Sequence, residues 1–141
     1  MAVVKRSETQ FLFFGGQNDK NDCYDEYYQL TLCEAPLAKL EKFTQPHPEE
    51  TPKKRTTHTI TPTGDGKAYL YGGANDDGPR MDLYEIDLNK PDDAFTKIYY
   101  ECDKALEHKR MARLEMHTAH WYEGALYFVG GRWLYDKEPL T

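Results

Sequence analysis

Serine occurs once in the 141 residues, at Ser7. It lies outside any Gly-x-Ser-x-Gly setting, which excludes the nucleophile elbow of a serine hydrolase. Cysteine is nearly as scarce. Cys23, Cys33 and Cys102 are an odd number without metal-type clustering; they read as free thiols of a reducing compartment, so a cytoplasmic protein is expected. Basic charge is in deficit, with 18 Lys and Arg against 24 Asp and Glu and a net charge of −6. That balance leaves no footprint for nucleic acid and no pull toward an acidic membrane surface. No apolar run approaches the roughly eighteen residues of a membrane span. The opening MAVVKRSETQ lacks the apolar stretch of a secretory signal.

What the chain has in quantity is aromatic: 13% of residues, with eleven Tyr and six Phe. Such side chains favour half-buried pleated surfaces. Ten Gly and eight Pro cluster between the aromatic runs, as turns between short strands require. Strands are expected at Gln10–Phe14, Asp25–Leu32, Ala68–Tyr71, Met81–Leu88, Phe95–Tyr100, His117–Tyr122 and Ala125–Val129. One stretch, Asp103–Met116, reads as a short helix inside a loop, because its apolar positions make no wide stripe.

An internal repeat sets the architecture. FLFFGG at 11–16, YLYGG at 69–73 and LYFVGG at 126–131 place the pairs Gly15-Gly16, Gly72-Gly73 and Gly130-Gly131 at intervals of 57 and 58 residues. Nine residues after each of the first two pairs, Asp25 opens DEYYQLTL and Asp82 opens DLYEIDLN. LAKLEKF (37–43) corresponds to FTKIYY (95–100), and HTITPTGDGKAYLYGG (58–73) matches HTAHWYEGALYFVGG (117–131). Each unit reads as four antiparallel strands. His58 or His117 begins the first, a Gly-containing hairpin follows, and the aromatic strand ends on two glycines where backbones approach closely. A sheet this small cannot bury its faces alone and must stack against its neighbours.

HTAHWYEGALYFVGG resembles the kelch repeat: His-Thr-Ala, a short Gly turn, an aromatic-aliphatic strand and Gly-Gly. The Asp-x-Tyr strand at Asp82–Tyr84 and the aromatic Phe95 are similar to the rest of that repeat. The resemblance covers nearly the whole chain and implies an all-β fold of kelch-type four-stranded antiparallel blades, a partial β-propeller. Residues 8–44 form a partial first blade without a convincing first strand. Residues 55–100 form a complete second blade and 113–141 a partial third, with inter-blade loops at 45–54 and 101–112. Propellers close with four to eight blades, so roughly two and a half imply a part of a larger ring or chains that pool their blades.

The chemistry-bearing residues take structural readings. His117 and His120, three apart on a strand, point to opposite faces, and no metal site is expected with His58 either. Asn75-Asp76-Asp77-Gly78 lacks the spaced ligands of a calcium loop, and Thr63-Gly64-Asp65-Gly66 reads as a hairpin rather than a phosphate loop. The basic runs Lys53-Lys54-Arg55 and Lys104–Arg113 read as solvated loops. No cofactor, nucleic acid or membrane is expected. The resemblance also permits an alternative, part of a copper oxidase-like propeller enzyme completed elsewhere.

What remains is a surface for protein partners, with self-association to complete a ring among the options. Loops leaving the Gly-Gly strands would gather on one face, where recognition concentrates. They carry Asn18 and Asp19, then Asp76, Asp77 and Arg80, then Arg132 and Trp133. Arg80, Arg132 and Trp133 are the sharpest candidates, because Arg and Trp are enriched among interaction hot spots.

Overall fold

The computed structural model describes residues 1–104 and 113–132, and over these the chain is all-β. Strands β1 (Ala2–Lys5), β2 (Gln10–Phe14), β3 (Tyr27–Leu32) and β4 (Ala38–Phe43) form a first antiparallel sheet in sequential order. Strands β5 (Thr59–Pro62), β6 (Lys67–Tyr71), β9 (Leu83–Asp87) and β10 (Phe95–Ile98) form a second, again sequential apart from a small hairpin, β7 (Ala74–Asn75) with β8 (Gly78–Pro79). Strands β11 (Glu115–Tyr122) and β12 (Ala125–Arg132) form a third, two-stranded sheet. It turns through Glu123 and Gly124, whose φ of 47° and 80° make a two-residue hairpin of the kind that matches strand twist.

Two sequence expectations are corrected here. The first sheet does not begin at residue 8, because Ala2–Lys5 pairs with β2 and completes four strands from Ala2 to Phe43. The helix expected over Asp103–Met116 ends in a strand, since Glu115 and Met116 belong to β11; residues 105–112 lie outside the described residues. Among the described residues no helix is long and apolar enough to cross a membrane.

The three sheets stack in order, with β1 beside β5 and β5 beside β11. Alternation along each strand gives every sheet two faces. In the first sheet Leu12, Phe14 and Tyr27 share one face, which we call trailing, and pack on Ala68, Leu70, Tyr84, Ile86 and Phe95 of the second sheet's leading face. Phe95 sits edge-on to both Phe14 and Tyr27, at centroid distances of 5.4 and 5.0 Å. The second sheet's trailing face carries Tyr69 and Tyr71, which meet Trp121 at 5.6 Å and Phe128 at 4.4 Å on the third sheet's leading face.

The junction between sheets repeats atom for atom where the glycine pairs lie. Gly16 N–H donates to the Arg55 carbonyl at 2.9 Å, and Gly73 N–H donates to the Leu114 carbonyl at 2.8 Å. His58 stands edge-on to Phe14 at 5.7 Å and 76°, and His117 to Tyr71 at 5.8 Å and 79°. The residue before each histidine, Thr57 or Met116, has a φ of 55°. The 45–54 connection is equally fixed. Gln45 bonds Pro91 O and Ala94 N, and Glu50 accepts from Lys97 N on the outer edge of β10. A carboxylate on that N–H occupies an edge strand that would otherwise be open to pairing.

His58 carries a pH dependence. Burial pushes its imidazole down to about 3, with the Arg55 guanidinium, the N-terminus and His117 adding in the same direction. The ring is therefore neutral in the fold, while the unfolded chain takes up the proton below about pH 6.5. Its contribution is complete above pH 6.5 and is lost as pH falls toward 3. In urea titrations we expect stability to drop from pH 6.5 to 4.5 with a slope of up to about 1.4 kcal/mol per pH unit. His58→Leu should flatten that slope whatever it does to absolute stability; an unchanged slope would remove His58 from the account.

Candidate interaction surface

The loops that follow the first two glycine pairs, the segments entering β5 and β11 and the end of β12 frame an open cleft of about 330 Å³. Gln17, Asn21, Cys23, Asp76, Glu115 and Arg132 are among its lining residues, so all three sheets contribute. Glu115 is its buried charge. It accepts from Arg132 Nε at 2.8 Å and from the Thr57 hydroxyl at 3.2 Å. Lys54 reaches Asp76 at 2.8 Å across the cleft's flank. Burial and the neighbouring Asp76 push the Cys23 thiol up, which keeps it a poor nucleophile at neutral pH.

The loop residues singled out from the sequence divide between this cleft and their own turns. Asp76 and Arg132 line the cleft together. Asn18 works inside its loop: its Oδ1 accepts from Lys20 and Asp22 backbone N–H groups, and its Nδ2 donates to Asp22. Asp19 is exposed at that turn. Arg80 folds back on the β7–β8 hairpin, bonding Asn75 at 2.9 Å and Asp77 at 2.7 Å. It faces a smaller cleft with Met81, Asp82 and Arg113. Trp133 lies outside the described residues.

The glycines split in an informative way. A Cβ on Gly15 would stand 2.5 Å from Arg55 O and 3.0 Å from His58 Cε1; on Gly72, 2.4 Å from Leu114 O and 3.0 Å from His117 Cε1. A Cβ on Gly73 or Gly131 would stand 2.8 Å from that of His58 or His117, and one on Gly16 3.0 Å from that of Met1. A Cβ on Gly130 would meet nothing within 4 Å among the described residues. His58 and His117 are thus wedges between consecutive sheets, and His117 Nε2 also bonds the Thr59 hydroxyl of the sheet before it at 2.9 Å. His120 sits on the opposite face of β11, exposed. Among the described residues no group of three or more His, Cys, Asp or Glu is placed to hold a metal ion.

The sequence reading misplaced Arg55. Arg55 belongs to no solvated loop; it is fully buried. Its Nη1 and Nη2 donate to the two carboxylate oxygens of Asp82 at 2.6 and 2.8 Å, and Nη1 also bonds Gly72 O at 3.0 Å. The guanidinium lies 5.6 Å from the Tyr84 ring, whose hydroxyl donates to Asp82 at 3.2 Å. Partial burial alone would raise the Asp82 carboxyl, yet Arg55 holds it below its usual range. Burial and Asp82 push the Tyr84 phenol up to about 12. The equivalent place ahead of His117 is taken by Leu114, so the repeat gave no signal for Arg55. A charge run conceals it, because Lys53 and Lys54 beside it are exposed.

The two acidic strand openings also correspond with a one-residue shift. Gly15 N–H donates to Glu26 O as Gly72 N–H donates to Asp82 O, so Glu26, and not Asp25, holds the place of Asp82. Comparison with protein-family models gives no match, and comparison with curated proteins gives none either.

Proposed function

We propose that this chain is a non-catalytic protein–protein interaction module, a kelch-type adaptor or assembly subunit, built as an arc of a β-propeller. The observation that carries the reading is the identity of the two outermost faces. Each internal junction joins a trailing face to a leading face. At one end of the stack the first sheet's leading face (Val3, Phe13, Leu30, Leu40) stands outward, with Leu40 62% exposed. At the other end the third sheet's trailing face (Tyr122, Tyr127, Val129) stands outward, with Val129 61% exposed. Val3 and Leu30 hold the positions of Ile60 and Ile86, which in the second sheet belong to the core. Contiguous apolar faces of this kind mark interaction surfaces, and the surface complementary to each is the other.

A second copy stacked head to tail therefore supplies what both ends require, and an arrangement that repeats until it closes makes a ring. The loops over the shared cleft would then face partners from one side of that ring. Light scattering on a sizing column tests this reading. We expect a discrete mass at a small multiple of 16.4 kDa. Leu40→Glu and Val129→Glu should each give a monomer with unchanged far-ultraviolet circular dichroism. A wild-type chain that stays monomeric at every concentration and ignores both substitutions would overturn it.

A further inference from the structure

Gly73 ties two arginines to one spot at the tip of the second sheet. Its carbonyl accepts from the Arg80 N–H at 2.8 Å, and its own N–H donates at 2.8 Å to the carbonyl of Leu114, the residue after Arg113. Arg80 and Arg113 thus start from neighbouring points of the backbone, and they line a common cleft of about 180 Å³ with Pro79, Met81 and Asp82. At about 30 Å³ per molecule, such a cleft has room for roughly six waters.

The acceptors around this cleft are already taken, and donors are left over. Both Asp82 carboxylate oxygens are held by Arg55, and Oδ2 also accepts from the Tyr84 hydroxyl. Asn75 and Asp77 take only the Nη2 of Arg80. Its Nε is buried without a partner among the described residues, and a buried N–H in that state costs free energy until an acceptor reaches it. Arg113 is exposed and makes no hydrogen bond or ion pair among the described residues. Of the charges that line the cleft or bond to its lining, the cations Arg55, Arg80 and Arg113 outnumber the carboxylates Asp77 and Asp82 by one. The first junction is built differently at the same places. There the Gly16 carbonyl accepts from the Tyr24 N–H, and the residue ahead of Arg55 is Lys54, whose ammonium is paired with Asp76. The two arginines are therefore no requirement of the repeat.

We infer that the cleft between Arg80 and Arg113 binds the phosphate group of a monoester. Near neutral pH such a group brings close to two negative charges and three strong acceptor oxygens. That is enough for two guanidiniums at once, whereas the two oxygens of a carboxylate are satisfied by one planar fork. Arg113 supplies a whole fork. Arg80, already fixed by Asn75 and Asp77, supplies a second positive charge that needs little further ordering to meet the ligand. This inference does not depend on the stacking of one copy on another.

The test is amide chemical-shift titration of the isotope-labelled full chain at pH 7 and constant ionic strength. The probes are acetyl-Gly-phosphoserine-Gly-amide, the same peptide with serine or with glutamate at its centre, and methyl phosphate. We expect saturable shifts centred on Gly73, Arg80, Met81 and Arg113 with the phosphopeptide and with methyl phosphate. The serine peptide should give none, and the glutamate peptide should bind at least tenfold more weakly. Methyl phosphate binding as tightly as the phosphopeptide places recognition in the phosphate itself; a tighter phosphopeptide assigns the remainder to a polypeptide carrier, and both support the site. Arg113→Gln, which breaks no bond among the described residues, should weaken binding at least tenfold. Asp77→Asn should strengthen it severalfold by withdrawing the competing carboxylate. Lys53→Gln removes the same charge at an exposed position outside the cleft and should leave binding within about twofold. Equal affinity for the phosphoserine and glutamate peptides, no saturable shift at these residues, or equal losses from Arg113→Gln and Lys53→Gln would overturn the inference.

Discussion

Replacing Arg55 with alanine should cost the protein about 3–5 kcal/mol, the range for removing one partner of a buried ion pair. For a chain of this length that is a fall in melting temperature of roughly 10–20 °C. The size follows from what is left behind. Asp82 loses both charge-assisted donors, the Gly72 carbonyl loses its partner, and the volume of the guanidinium beside Tyr84 opens. Arg55→Lys should recover only part of the loss, since an ammonium cannot span both carboxylate oxygens. The pair Arg55→Met with Asp82→Leu should be less damaging than Arg55→Ala alone, because no uncompensated charge then remains. Denaturant unfolding at pH 7 measures all three variants against wild type. An Arg55→Ala protein within about 1 kcal/mol of wild type would show that the pair is screened by water and stabilises little.

The glycines offer a sharper comparison, because one substitution can be made at equivalent positions in different surroundings. Gly72 and Gly130 have φ of 67° and 69°, so Gly→Ala carries the same left-handed penalty at both, about 1–2 kcal/mol. Among the described residues only at Gly72 does the added methyl meet neighbours, the Leu114 carbonyl at 2.4 Å and the His117 ring at 3.0 Å. A carbonyl already bonded to Gly73 N–H cannot withdraw without breaking the junction. Gly72→Ala should therefore cost a further 1–3 kcal/mol, typical of overpacking, and loosen the third sheet from the second. Gly130→Ala should stay near the backbone penalty. Equal losses at the two positions would mean that the glycine is required for its torsion angle alone and that the inter-sheet contact contributes nothing.

The strands were legible because aromatic residues ending on paired glycines leave few alternatives to a strand that meets a neighbour at its tip. Gln10–Phe14 matches its expected bounds, and the other expected strands shift by one to three residues at their ends. Strand β1 was not legible. Ala2–Lys5 is four residues long, and Met1 stands where the other sheets carry histidine. The one-residue shift between Asp25 and Glu26 was hidden for a related reason. The first loop turns around Asn18 and the second through the β7–β8 hairpin, so equal counting from the glycines does not reach equal places. Arg55 shows the limit of charge patterning. An arginine beside two lysines reads as solvated until its acceptor is known, and Asp82 is 27 residues away. The cleft's buried Glu115 was similarly silent, since its partners Thr57 and Arg132 come from two other segments.

The repeated junction also governs how the stack comes apart. Within each sheet, strands pair with their neighbours in sequence, so contacts inside a sheet are short-range along the chain, and those between sheets run through the glycine tips and the histidine wedges. That is a nearest-neighbour system, in which the stability of each unit is its own plus the coupling at each face it shares. The middle sheet is coupled on two sides and held along its outer edge by Gln45 and Glu50; the outer sheets are coupled on one. Opening therefore begins at the ends of the stack and reaches the centre last. Each sheet added to either end would convert a fraying terminus into an interior unit, so this protein gains cooperativity with every neighbour it acquires.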